Sequence, residues 1–281
     1  GVYYGDRKEV GRYNTIATWQ SLNVLEKKAK NEHSTEFKEF CEGINTVIID
    51  EVHMAKADVL KRLLTGAFAH CGIRWGLTGT VPKAEYEFMG IKVSLGDVTH
   101  RIPAKDLQEK GVLANCNVNV LQTQDHPEFK TYQEELKWLT TDSTRMEWLA
   151  KTIEHIGTSG NTLILVDRIS AGQILQEKIK DSVFVSGSTK NADRKEQYDE
   201  VSTATNKIII ATYGVASVGI NIPRIFNLVL IEPGKSFVRV IQSKGRGVRK
   251  AKDKDHVEIW DITSSAKYSK KHLTERKRFY K

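Results

Sequence analysis

The sequence predicts an α/β fold of two doubly wound parallel-sheet domains, because short apolar runs alternate with stretches of helical spacing along the chain. The run TVII at residues 46–49 has the apolar character of a parallel strand that is buried on both faces. The alternation loses its period near residues 103–111 and then resumes. We therefore expect a first domain at residues 1–105, a linker at 106–112 and a second domain at 113–281.

The first domain has predicted strands at residues 15–18, 46–49 and 73–77. Between the last two, the apolar positions 59, 60, 63, 64 and 67 follow the spacing of one helix face. A helix that joins two strands in this way indicates a parallel sheet with helices packed on its faces.

The second domain shows the same alternation over a longer stretch. Apolar spacing predicts helices at residues 146–156 and 171–179. Strands are predicted at residues 117–121, 162–166, 183–186, 208–211, 228–231 and 257–260. The second domain is therefore also predicted to be doubly wound.

The charge is compatible with a polyanionic partner but does not require one. The net charge is +8 and the isoelectric point is about 9.2. The basic tail at residues 266–281 is predicted to be a helix, which lies either along a phosphate track or with one face in solvent. The solvated face is the preferred interpretation for each single lysine of the tail.

Cysteine spacing and hydropathy exclude several classes of protein. Cys41, Cys71 and Cys116 lie far apart without a CxxC pair, so neither a zinc site nor a disulfide framework is indicated. We expect a reducing, cytoplasmic environment. No apolar run approaches the roughly 20 residues that a membrane-spanning helix needs, so no membrane partner is expected.

Two acidic residues follow the predicted strand at 46–49, at the sheet edge where doubly wound folds bind ligands. In phosphoryl transfer, Asp50 is suited to hold Mg²⁺ and Glu51 to orient or deprotonate the attacking water. A strand that ends in an ordinary solvated turn is the simpler alternative. Downstream, Thr78 and Thr80 of the LTGT run carry hydroxyls that can bond to this carboxylate loop.

The second domain adds a small-residue loop and a basic helix face. The run from Ile208 to Pro223 leads from a strand into a turn whose small residues let a phosphate approach the backbone. Arg246 and Arg249 are three residues apart and share one face of a helix, where they match the charge of a transferring phosphate. The alternative is a basic surface helix.

The ordered runs DEVH (50–53), LTGT (77–80), ATYGVASVGINIP (211–223) and QSKGRGVR (242–249) resemble motifs II, III, V and VI of superfamily-2 helicases. TIATWQ at residues 15–20 resembles the DNA-contacting motif that precedes the acidic box. VSGST at residues 185–189 resembles the strand-loop motif of the second domain. Within the superfamily, the chain looks most similar to phage UvsW-like helicases, which act on branched DNA.

The resemblance implies two RecA-like domains with a cleft between them, and it implies ATP and Mg²⁺ as cofactors. It assigns Asp50 to Mg²⁺ through water and Glu51 to the hydrolytic water. It assigns Arg246 and Arg249 to the phosphates, with Arg249 as the arginine finger. It assigns His53 and Gln242 to coupling of the nucleotide to the domain interface, and Thr78 and Thr80 to the link between hydrolysis and movement. Gly219 and Asn221 are expected to line the nucleotide side of their loop. Asn221 stands where many relatives carry Asp.

DNA contacts are implied for Thr18, Trp19, Gln20, Ser186, Gly187, Arg194, Thr212 and Tyr213. Trp19 is equally well explained as a base-stacking residue or as a core aromatic. The partner implied is branched or forked DNA, bound without sequence preference. The activity implied is that of an ATP-dependent helicase or translocase, which remodels such DNA in recombination, replication or repair.

The chain contains no GxxxxGK[ST] loop. The family places this loop before the TWQ stretch, so we expect the first domain to be incomplete and this fragment alone to hydrolyse ATP poorly. Three alternatives stay open at this point. They are the motor subunit of a restriction or repair complex, an RNA helicase, and a nucleic-acid-binding scaffold without turnover.

Overall fold

The computed structural model describes the chain except residues 55–56, 80, 83, 112–114, 188, 190–195, 198, 202, 220–223, 235–255, 279 and 281. Of residues 54, 57, 104 and 217–219 it describes the backbone. The chain divides into two compact units, Gly1–Arg101 and Ile102–Lys281, each with its own core.

Unit 1 contains two small sheets in its described part. The first has the order β2-β1-β3, and the second is the parallel pair of β4 and β5. The strands are β1 (Val2–Tyr4), β2 (Arg7–Lys8), β3 (Ile16–Ala17), β4 (Thr46–Ile49) and β5 (Ile73–Gly76). The helices are α1 (Trp19–Asn31), α2 (Glu36–Cys41), α3 (Ala57–Arg62) and α4 (Glu85–Leu95). Strands are therefore present within all three stretches where the sequence predicts them.

The single helix predicted across residues 59–67 changes its geometry part of the way along. It is α-helical to Arg62 and then forms a π-turn at Leu63–Ala67, in which Phe68 N–H donates to Leu63 O at 2.9 Å. The hydroxyl of Thr65 donates to Lys61 O, four residues earlier, at 2.7 Å. A hydrogen bond of this kind competes with the backbone hydrogen bonds of the helix and can bend it. The helix therefore changes type at Leu63, although the apolar spacing of the sequence continues unchanged.

Unit 2 is built on one six-stranded parallel sheet in the order β6-β11-β10-β7-β9-β8. The strands are β6 (Asn115–Thr123), β7 (Thr162–Val166), β8 (Val183–Val185), β9 (Ile208–Thr212), β10 (Asn227–Ile231) and β11 (His256–Ser264). The helices are α5 (Ala104–Glu109), α6 (Tyr132–Leu139), α7 (Ser143–Gly157), α8 (Ile169–Lys178), α9 (Tyr213–Gly219) and α10 (Lys267–Lys277).

The sheet of unit 2 is covered on both faces, as a doubly wound fold requires. On one face, Ile164 and Ile210 pack with the buried sides of α7 and α8. On the other face, Leu165 and Ala211 pack with Tyr213 of α9. Strands β7 and β10 are buried at every position, which explains their uninterrupted apolar sequence. The predicted α/β class is therefore confirmed.

The basic tail helix α10 is built into unit 2. Ser269, His272, Leu273 and Arg276 of this helix are buried, and the exposed residues lie on its other face. Lys270, Lys271 and Lys277 are exposed, as both interpretations of the tail require, whereas Arg276 of the same helix is 1% exposed.

Candidate nucleotide and nucleic-acid site

The acidic pair lies in the turn that follows β4. Asp50 is exposed and Glu51 is half-buried. The Glu51 backbone has a φ of 48°, in the left-handed region that side chains other than glycine rarely adopt, and its N–H donates to Asp50 Oδ1 at 2.9 Å. Such strained backbone tends to occur where a side chain has to be aimed at a ligand. The turn therefore places two carboxylates just after the end of a parallel strand.

His53 connects this turn to the end of the neighbouring strand β5. Its Nδ1 lies 2.6 Å from Thr78 Oγ1 and 3.5 Å from Glu51 Oε2, and its side chain is 7% exposed. Two backbone hydrogen bonds hold the same junction: Leu77 N–H donates to Ile49 O at 2.8 Å, and Val52 N–H donates to Leu77 O at 3.1 Å. A hydroxyl of the LTGT run is thus bonded to the carboxylate loop.

The donor chemistry of the turn fits Mg²⁺. Carboxylate oxygens are the ligands that this cation prefers, and one or two of them suffice when water and phosphate complete the coordination sphere. Asp50 offers such a carboxylate in an exposed position. Within the described residues, no group of three or more His, Cys, Asp or Glu side chains is arranged to hold a metal by itself. Asp50 is therefore the residue of this turn that would hold a cation, with water and phosphate among its further ligands.

The TWQ stretch forms the start of α1. Thr18 is the N-cap, and its Oγ1 accepts from Ser21 N–H at 3.3 Å. Trp19 is half-buried in the first turn, and Gln20 is exposed. The cap gives Thr18 a structural role in addition to the predicted DNA contact. The partial exposure of Trp19 leaves both of its predicted roles open.

The DNA-contacting residues predicted in unit 2 differ in exposure. Gly187 is exposed, whereas Ser186 is 6% exposed and its N–H donates to Thr189 Oγ1 at 3.1 Å. Thr212 is half-buried, and its Oγ1 accepts from Val215 N–H at 3.4 Å. Ser186 therefore stabilises its turn and presents little surface to a ligand.

Tyr213 lies in the core of unit 2. It is 4% exposed and packs with Leu165 and Leu230. Burial raises the pKa of its hydroxyl well above the usual value, and the charge of nearby Asp261 adds to this effect. Tyr213 therefore presents little surface to a ligand in this structure, and its DNA contact stays a prediction.

Several predicted site residues lie outside the described residues, namely Thr80, Arg194, Asn221, Gln242, Arg246 and Arg249. Gly219 is described as the last residue of α9. The roles of these residues, and the cleft expected between the domains, stay predictions.

A group of buried charged residues in unit 2 escaped the sequence analysis. Arg145 pairs with Glu232 at 2.6 Å, and Arg276 pairs with Asp261 at 2.9 Å. All four residues are at most 5% exposed. The signal available for Arg276 was the helical spacing of positions 269, 272, 273 and 276 in the tail.

Comparison with known proteins relates the chain to helicases. Residues 144–251 match the model of the helicase conserved C-terminal domain. The chain is 27% identical over 253 residues to the ATP-dependent DNA helicase uvsW of Enterobacteria phage T4, which covers 86% of this chain and 50% of that protein. It is 26% identical over 257 residues to putative helicase 22 of a Sulfolobus islandicus filamentous virus, with 84% and 45% covered.

Solved structures support the fold. The crystal structure of T4 UvsW matches 95% of this chain and 55% of its own, with 21% identity and a TM-score of 0.52. A fragment of a putative HsdR subunit of a type I restriction enzyme from Vibrio vulnificus YJ016 matches 93% of this chain and 49% of its own, with 18% identity and a TM-score of 0.67.

The chain spans about half the length of the curated relatives that it matches. Among the described helices, none combines the length and the apolar character of a membrane span. Three observations agree with the helicase-like order of the sequence motifs. They are the match to the helicase C-terminal domain, the sequence similarity to UvsW and the six-stranded parallel sheet of unit 2. The chain therefore carries a helicase conserved C-terminal domain at residues 144–251 and resembles the UvsW helicase of phage T4.

Proposed function

We propose that this chain forms most of an ATP-driven motor that moves on DNA. The observation that carries the proposal is the turn at Asp50 and Glu51, which the contact between His53 and Thr78 joins to the neighbouring strand. Carboxylates at the carboxyl edge of parallel strands, in a turn whose histidine contacts a hydroxyl of an adjacent loop, suit a site that hydrolyses a phosphoanhydride and transmits the change.

Each carboxylate has its own task in this proposal. Asp50 holds Mg²⁺ through water, because it is exposed and has oxygen ligands to offer. Glu51 accepts a proton from the water that attacks the γ-phosphate, and His53 at 3.5 Å from its carboxylate orients it. Arg246 and Arg249 neutralise the transferring phosphate from the second domain, as the family motif implies. Bound Mg²⁺ would supply charge neutralisation on the phosphates.

DNA is the proposed track. The T4 relative is a DNA helicase by name, and the net charge of +8 favours a polyanion. Branched or forked DNA is the proposed substrate, since the TWQ and YGV stretches resemble those of UvsW-like helicases, and recombination, replication or repair is the proposed setting. An RNA helicase would prefer RNA in a direct competition, and a scaffold without turnover would bind nucleic acid without hydrolysing ATP.

The decisive experiment uses a longer form of the protein that includes a GxxxxGK[ST] loop. Glu51→Gln is nearly isosteric but removes the basic carboxylate, so we expect ATP binding to persist and hydrolysis to fall by about 10²- to 10⁴-fold. Glu87→Gln, at an exposed carboxylate of α4, serves as the matched control and should hydrolyse ATP normally. Turnover in Glu51→Gln equal to that of the control would show that another group activates the water.

The track is tested in the same protein. Forked DNA, linear duplex DNA and RNA of equal length are compared as activators of ATP hydrolysis. We expect forked DNA to activate at the lowest concentration. Equal activation by RNA would refute the DNA assignment, and the absence of ATP hydrolysis with every nucleic acid would favour the scaffold.

A further inference from the structure

The outer side of the tail helix α10 carries a group of cations on one face. At 3.6 residues per turn, an arc of roughly 120° around the helix contains the exposed residues Lys267, Lys270, Lys271, Lys277 and Arg278. Thr274, which is also exposed, lies in the middle of this arc. The buried residues of the helix lie on its opposite side. These five cations are the basic face of α10.

The charge of the basic face is not balanced by neighbouring carboxylates. Among the described residues, no carboxylate forms an ion pair with any of its four lysines. Arg278 pairs with Glu275 at 3.3 Å, and both side chains are largely in solvent. In unit 1, by contrast, exposed Lys92 has Asp97 at 2.7 Å. The basic face therefore presents a concentrated positive charge.

The stability of the helix does not explain this arrangement. The first turn of α10 contains no acidic residue and carries Lys267 and Lys270, next to the positive end of the helix dipole. Lys267 and Lys271 are like charges four residues apart, which destabilises a helix. A bound polyanion would remove both repulsions.

Buried contacts at both ends of α10 hold the basic face outward. Glu135 of α6 is fully buried, and its two oxygens accept from Tyr268 N–H at 3.0 Å and from Ser269 N–H at 2.7 Å. In the last turn, Arg276 donates from Nε and Nη2 to the two oxygens of fully buried Asp261, both at 2.9 Å. Because these contacts fix the rotation of the helix about its axis, the basic face is presented in one orientation.

The composition of the basic face indicates which polyanion it fits. Residues 267–278 are all described, and none of their exposed side chains is aromatic, so a single strand would find no ring on which to stack its bases. Tyr268 is half-buried against Tyr132, with ring centroids 6.3 Å apart. The apolar side of α10 packs into unit 2 and is not available to enter a lipid bilayer. A duplex needs only positive charge along its phosphates.

The length of the basic face suits a short stretch of duplex. At 1.5 Å per residue, the distance along the helix from Lys267 to Arg278 is about 16 Å. Duplex DNA carries one phosphate charge per roughly 1.7 Å of its axis, so several phosphates lie within such a length. Contacts to phosphates carry no direct sequence information.

Building on the proposed function, in which DNA is the track, we propose that the basic face of α10 binds the phosphate backbone of duplex DNA without sequence preference. None of its five residues belongs to the motif-like runs of the sequence. On a forked substrate, the basic face holds the duplex arm.

The test is binding of this chain to a short duplex DNA, followed by fluorescence anisotropy at several salt concentrations. The triple variant Lys270→Gln, Lys271→Gln and Lys277→Gln keeps good helix formers at exposed positions, so it should unfold in urea at the wild-type midpoint. We expect its affinity at about 0.1 M salt to fall by at least about tenfold. The slope of log affinity against log salt concentration should become less negative by about 2 to 3, because each lost phosphate contact removes about 0.9.

Two matched triple variants separate local binding from total charge. Lys110→Gln, Lys151→Gln and Lys180→Gln remove the same charge from exposed positions of unit 2 outside α10, and the slope should change by less than about 1. Arginine at 270, 271 and 277 keeps the charge and should bind as the wild type does. Equal losses in the two glutamine variants, a loss in the arginine variant, or no salt-dependent binding by the wild type would overturn the proposal.

Single-stranded DNA of equal length and vesicles of anionic phosphatidylglycerol are measured as competing ligands. A larger loss of affinity for either of them than for duplex DNA, in the glutamine variant of α10, would overturn the duplex assignment. These measurements use no ATP, so they decide the proposal even if the longer form of the protein fails to hydrolyse ATP and the motor function is refuted.

In a longer form that does hydrolyse ATP, the same glutamine variant should need about tenfold more forked DNA for half-maximal stimulation. Its kcat at saturating DNA should stay within about twofold of wild type, because the basic face binds the track and takes no part in hydrolysis. A lower kcat with an unchanged requirement for DNA would contradict a role in binding.

Discussion

At the residue scale, the contact between His53 and Thr78 is the most direct link between the acidic turn and a second motif. Thr78→Val keeps the shape of the side chain but removes the hydroxyl that lies 2.6 Å from His53. In the longer form we expect ATP hydrolysis to stay within about threefold of wild type while strand separation falls by at least about tenfold, because the predicted role of Thr78 is to link the two. The measurement is the number of base pairs opened per ATP hydrolysed. An unchanged ratio would show that Thr78 does not link ATP hydrolysis to strand separation.

Glu232 should give the stability of unit 2 a distinct pH dependence. Burial raises the pKa of Glu232 to about 7, against the opposing effect of the Arg145 guanidinium. In the unfolded chain the carboxyl has its ordinary pKa of about 4.3, so the folded state binds more protons between these two values. The stability due to this group is therefore fully present at low pH and is lost as the pH rises through about 7.

We expect the unfolding free energy of the Glu232→Gln variant to change less between about pH 5 and pH 8 than that of wild type. Denaturant unfolding of this chain at several pH values measures the difference. Glu154→Gln, at an exposed carboxylate of α7, is the control and should follow the wild-type profile. Parallel profiles for wild type and Glu232→Gln would show that Glu232 does not titrate in this range.

At the scale of the element, the cap that Glu135 places on α10 should be important for stability. Glu135→Ala leaves the N–H groups of Tyr268 and Ser269 without their acceptor inside the protein, so we expect a loss of about 2–4 kcal/mol. Glu128→Ala, at an exposed position, should change stability by less than about 0.5 kcal/mol. Urea unfolding followed by circular dichroism measures both variants. A similar midpoint for the two would refute the capping role.

Most elements were predictable because their patterns are set by local burial. The run at 162–166 is buried at every position, and the strand is found at those same residues. The helix predicted at 59–67 is less accurate for a local reason. The hydroxyl of Thr65 competes with the backbone hydrogen bonds of the helix, but the apolar spacing of the sequence does not show this. The burial of Arg276 was missed because its partner, Asp261, lies on β11, and single-sequence patterns do not show which distant charges pair.

The position of a candidate site residue was predictable where it is encoded in consecutive residues. The acidic pair lies directly after β4, as the sequence indicates, because a strand and its following turn are local features. Exposure was harder to predict. Tyr213 belongs to a motif-like run, yet it is buried, since its environment depends on β10 and on other distant parts of unit 2.

At the scale of the whole molecule, the net charge of +8 should govern binding to DNA. We expect this chain to bind duplex and forked DNA with little sequence preference and with an affinity that falls as salt rises. The slope of log affinity against log salt concentration should be negative, because each phosphate contact releases counterions. On duplex DNA we expect it to equal about −0.9 times the number of phosphates contacted. Fluorescence anisotropy at several salt concentrations measures this slope. A slope near zero would contradict binding through phosphates.

The strand order of unit 2 also has a consequence for how the chain is made. β11 lies between β6 and β10, with nine aligned residue pairs along β6, although β6 is the first strand of the unit and β11 the last. On the ribosome, β6 therefore emerges long before its neighbour. Until residue 264 has left the exit tunnel, the facing edges of β6 and β10 stay open and can pair with other chains. A nascent chain that stops before β11 should therefore aggregate rather than form a smaller stable sheet.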